Sequence, residues 1–132
     1  MNFLDNENVY RGTADLEAKN QKARFILKTE EKSSPDPSLE SLLKAIDELE
    51  GKGLSSFVAL ESVKGVTAGM IQAIPVLIDD ERSYTVETIP STDEISLFYI
   101  DEVSLDEVRK IFEFFYKNAR VKGLDLWNER MI

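Results

Sequence analysis

Residues 54–100 hold four strand-like runs separated by turn residues, and an amphipathic helical pattern stands on either side of them. This order constrains the fold more than any other feature. In 54–63, Val58 and Leu60 fall on one face of a strand, and Phe57 and Ala59 on the other. Residues 70–78 are almost continuously apolar, as in a strand buried on both faces. Pro75 lies inside that run and predicts an edge position or a bulge, because proline cannot donate to a ladder. Gly65 to Gly69 reads as a hairpin connection and 79–82 as a turn. Residues 84–89 form a strand, 90–94 a second turn and 95–100 another strand. The spacing predicts an antiparallel meander.

On the N-terminal side, Leu39, Leu42, Ile46 and Leu49 recur at helical spacing, with Asp36 as the expected N-cap and Pro37 at the expected first helical position. Gly51 and Gly53 mark its end. On the C-terminal side, Ser104 and Glu107 make a capping box, and Val103 and Val108 are placed for a hydrophobic staple. Val108, Ile111, Phe112, Phe115 and Ala119 continue as one apolar stripe, with Gly123 as the expected stop. Two such helices can cover one face of a sheet. The expected fold is α+β, a largely antiparallel sheet of four to five strands with two helices packed on one face. A length of 132 residues suits a single domain. Within it, 1–31 is expected to be an N-terminal strand or loose hairpin, with a strand at 23–29. Residues 32–37 read as a linker, 38–120 as the core, and 121–132 as a tail carrying Trp127.

The chain has no cysteine and no histidine. A disulfide framework and a thiol nucleophile are excluded, and the commonest general base and transition-metal ligand are missing. Neither a calcium loop nor a phosphate loop occurs, so no metal and no cofactor is expected. No leader pattern is visible and no apolar run is long enough to span a bilayer, so a cytoplasmic location away from membranes is expected.

The net charge of −9 is local. Residues 79–107 hold ten acids and one base, Arg82, while the rest of the chain has 15 acids and 15 bases. Nucleic acid would be repelled by such a field and a cationic protein surface attracted. In a meander, alternate turns share an end of the sheet, which would gather Asp79, Asp80, Glu81, Asp101, Glu102, Asp106 and Glu107. Turn preference and the helix macrodipole account for many of these acids without any function. A docking surface for a cationic partner accounts for their confinement to one stretch. Phe114 projects away from the apolar stripe of its helix. Either another part of the chain covers it or it is an exposed aromatic anchor.

From residue 37 to 117, a helix at PSLESLLKAIDELEG, a strand at SSFVALES, a meander and a closing helix at VSLDEVRKIFEFF follow one another. This layout resembles small bacterial immunity proteins of polymorphic and contact-dependent toxin systems. The resemblance implies a non-catalytic, often acidic inhibitor that covers the basic cleft of a toxin. The expected function is therefore a protein-binding domain, a monomer or weak homodimer, that docks a cationic, toxin-like partner through Asp79, Asp80, Glu81, Asp101 and Glu102, with Phe114 as a further contact. A small carboxylate-dependent enzyme and a domain that self-associates through the Pro75 strand are the alternatives.

Overall fold

The computed structural model describes residues 25–63, 69–90 and 96–131. The expected hairpin before residue 25, most of the 65–69 connection, and Asp93 and Glu94 of the acidic run lie outside these residues. The described chain is α+β. Its elements are β1 (Phe25–Thr29), β2 (Ser33–Pro35), α1 (Leu39–Glu48), β3 (Val58–Ser62), β4 (Met70–Ile78), β5 (Glu81–Ile89), β6 (Ser96–Val103), α2 (Leu105–Asn118) and β7 (Asn128–Met131). The strands form one sheet in the order β2-β1-β3-β4-β5-β6-β7, antiparallel at every step. Strands β3 to β6 make the expected meander.

Seven strands replace the expected four to five. The two additions are the edges, β2 inside the presumed linker and β7 inside the presumed tail. Neither Ser-Ser-Pro nor Asn-Glu-Arg-Met has an apolar alternation to read, because an edge strand can be held by backbone pairing alone. Strand β4 is the middle strand of the sheet, not an edge. Its ladder with β3 stops at Val58↔Ala73, whereas its ladder with β5 continues to Ile78↔Glu81. Pro75 therefore sits where β4 has a neighbour on one side only, which is how a proline is accommodated in a central strand.

The core is built on one sheet face. Phe25 and Leu27, Val58 and Leu60, Ile71 and Ala73, and Tyr84 and Val86 alternate along four strands and are all buried. Against them pack Leu42 and Ile46 of α1, with Leu49 just beyond it, and Val108, Phe112 and Phe115 of α2. Each fully buried side chain of this size contributes roughly 1.5–3 kcal/mol. Phe25 meets Phe115 with ring centroids 5.5 Å apart, which joins β1 to α2.

The capping box of α2 is present, with Ser104 and Glu107 each bonding the other's backbone N–H. Helix α1 is capped by Ser38, whose hydroxyl accepts from the Ser41 N–H at 3.0 Å. Asp36 instead takes a left-handed conformation, and its N–H donates to the Phe25 carbonyl. Helix α2 stops short of Gly123. Ala119 caps it at φ +58°, donating its N–H to the Phe115 carbonyl at 2.7 Å. Among the described residues no helix is long and apolar enough to cross a membrane.

Candidate functional site

The acidic residues meet where the β4–β5 hairpin and the start of α2 share an end of the sheet. Strands β4 and β5 pair up to Ile78↔Glu81, so Asp79 and Asp80 form a two-residue turn. Both have positive φ, +53° and +66°, as a type I′ hairpin requires. The short polar side chain of aspartate tolerates this region better than most. The turn is therefore acidic for a local reason as well as an electrostatic one.

A bulge shapes the other wall. The β5–β6 register slips between Tyr84↔Val103 and Val86↔Ile100, leaving one extra residue on β6, and Glu102 takes φ +57°. Asp101 and Glu102 face different surroundings, as successive residues of a strand do. Asp101 accepts from the Thr85 hydroxyl at 2.8 Å across the strands. Glu102 joins Asp79, Glu81 and Glu107 around one open depression of about 480 Å³. The expected convergence of seven carboxylates is thus met by these four. Asp80 occupies the tip of the turn, and Asp106 pairs with Lys110 at 3.2 Å on the first turns of α2.

Arg82 lines the same depression, and its guanidinium is engaged by the fold. Its Nη2 donates to the carbonyls of Leu49 and Lys52, each at 2.6 Å, and its Nε donates to the Tyr84 hydroxyl at 3.1 Å. The guanidinium also lies 5.7 Å from the centroid of the Tyr84 ring. These carbonyls follow the C-terminal end of α1, where the helix macrodipole favours a cation. The only base of the acidic stretch thereby ties the hairpin to α1. Asp79, Asp80, Glu81 and Glu102 have no cationic side-chain partner among the described residues.

Two residues that sequence reasoning assigned to a buried strand belong to this surface. Leu77 is 53% exposed and Ile78 37%, directly before the acidic turn. Strand β4 outruns β3 at this point, so the apolar run ends in solvent. Its continuity into Asp79 and Asp80 was the available signal.

Phe114 lies elsewhere. It is half-buried on α2, with the Lys122 ammonium 5.4 Å and the Arg120 guanidinium 5.8 Å from its ring centroid. The segment after the helix thus places two cations beside it, which accords with covering by the chain rather than with a bare anchor.

The sheet face opposite the helices carries a polar network at its centre. Gln72 and Arg130 donate to the two carboxylate oxygens of Glu87, at 2.7 and 2.9 Å, and the Arg130 guanidinium lies 5.0 Å from the Tyr99 ring centroid. Glu87 is 8% exposed, and its two donors satisfy a charge that would otherwise be costly to bury. This network also locks β7 onto the sheet, because Arg130 reaches across β6 to β5.

No group of three or more potential metal-ligating side chains occurs among the described residues. In comparisons with protein-family models, with curated proteins and with solved structures, nothing matched this chain.

Proposed function

We propose that this chain is a non-catalytic protein-binding domain whose acidic end docks a cationic protein partner. Inhibition of a bacterial toxin, in the manner of an immunity protein, is the specific form of that proposal. One observation carries it. Among the described residues, Asp79, Asp80, Glu81 and Glu102 have no cationic side-chain partner, and they stand beside the exposed Leu77 and Ile78. Unpaired acids raise the rate at which a basic surface is captured, and an apolar centre holds it once water is displaced. Arg82 does little to weaken such docking, because its donors already face the Leu49 and Lys52 carbonyls beyond α1. Asp101 adds to the field from the neighbouring face. Phe114 enters the proposal only as a peripheral contact, since its ring already has two cations beside it.

The test uses the wild-type chain and a variant carrying D79N, D80N, E81Q, D101N and E102Q as baits in a lysate of the source organism, at low and high salt. A basic protein held by the wild type at low salt, released at high salt and absent from the variant supports the proposal. Equal capture by the variant, or capture of no basic protein, rejects it.

A further inference from the structure

A second concave site lies away from the acidic end, between α1 and the β1–β2 hairpin. It encloses about 250 Å³ over an apolar floor that includes the buried Leu27, Leu49 and Val58. Helix α1 turns Ser41, Lys44, Ala45 and Glu48 towards it, a spacing of three and four residues that lines up one helix face. The hairpin contributes Lys32 and Ser34. Lys32 is held by its own backbone, which donates to the Thr29 hydroxyl at 3.3 Å and accepts from the Thr29 N–H at 2.9 Å.

The charges around this groove are sorted. Lys52 contacts Glu31 at 3.1 Å and Glu30 at 3.7 Å. Its pKa is raised, chiefly by the Glu31 hydrogen bond, and Glu48 adds to the same field. All three acids of the groove therefore gather about Lys52. Lys32 and Lys44 have no carboxylate within ion-pair distance among the described residues, and the half-buried Ser34 hydroxyl has no hydrogen-bond partner there. In a chain of net charge −9, two ammoniums and a hydroxyl that have no partner among the described residues line one apolar-floored groove.

We infer that the groove binds a small organic carboxylate with an apolar body, its carboxylate taken by Lys32 and Lys44 and its body by the floor. This inference is independent of the docking proposal and uses none of its residues. The volume falls just below that of drug-sized sites, which limits the ligand to about ten non-hydrogen atoms. A ligand of that size in an open groove is expected to bind with a dissociation constant of about 1 mM.

The experiment is a titration of the full-length protein with 3-phenylpropionate, followed by amide chemical shifts. Saturable shifts confined to Thr29 to Ser34 and Ser41 to Glu48 are expected. Binding should weaken about tenfold or more in K32Q/K44Q, because each charge-assisted hydrogen bond is among the strong ones. The neutral isostere 3-phenylpropanamide should bind about tenfold more weakly or not at all. Both lysines are exposed, so the double variant retains the fold. No saturation by about 10 mM, equal binding of the amide, or unchanged binding to K32Q/K44Q overturns the assignment.

Discussion

Arg82→Gln is the substitution whose effect follows most directly from the geometry. It removes two hydrogen bonds of 2.6 Å to main-chain carbonyls and one of 3.1 Å to a buried tyrosine. A hydrogen bond to a charged group contributes about 1.5–3 kcal/mol when truncated. Arg82 is only half-buried, so water replaces part of what is lost and the lower end of that range applies. The two carbonyl contacts together give about 3 kcal/mol, a large fraction of the roughly 5–15 kcal/mol that holds a domain together. In urea, where m is about 1–3 kcal/mol/M, the midpoint should fall by about 1–3 M with m unchanged. Arg82→Lys keeps the charge but cannot span Leu49, Lys52 and Tyr84 at once, so it should recover less than half of the loss. A loss below about 1 kcal/mol in R82Q, or full recovery in R82K, would refute the claim that this fork ties the hairpin to α1.

Three further outcomes are expected. Replacing Asp79-Asp80 by Asn-Gly relieves two left-handed residues and should raise stability by about 1 kcal/mol, a thermal shift of a few degrees, while slowing capture of a basic partner; a lower melting temperature would contradict the turn assignment. Ala119→Gly should stabilise by about 1 kcal/mol for the same backbone reason, since Ala119 caps α2 at φ +58°; chemical denaturation that shows a loss would place the helix end elsewhere. For Lys52, the folded pKa is raised above 10.5, mainly by the Glu31 hydrogen bond. Its stabilisation is therefore present below pH 10.5 and lost as pH rises through the folded value. The stability difference between wild type and K52Q should stay level from neutral pH and shrink only in that alkaline window.

Where burial leaves a period in the sequence, the fold was legible. The alternation of Val58 and Leu60, the run through 70–78 and the stripe of α2 all reflect one-sided contact with the core. Strands β2 and β7 escaped because neither has such a period. Two helix ends fell at other residues than the sequence suggested. Ser38 displaced Asp36 as N-cap, and Ala119 took the left-handed cap expected of Gly123. At the candidate site, the confinement of charge to 79–107 was visible, but which acids converge depended on a one-residue bulge. That bulge gives Glu102 its left-handed backbone beside the depression, and no pattern in the sequence announces it. The internal role of Arg82 was equally hidden, because its carbonyl partners lie about thirty residues away in the chain.

The central claim is that the acidic end steers a cationic partner into place. Its most direct test is the association rate of the captured partner, measured by stopped flow over a range of salt concentrations. For the wild type, the rate should fall steeply as salt rises. For the variant carrying D79N, D80N, E81Q, D101N and E102Q, it should be slower at low salt and nearly flat, with the same far-ultraviolet spectrum. An equal rate and an equal salt slope for the two proteins would contradict the account.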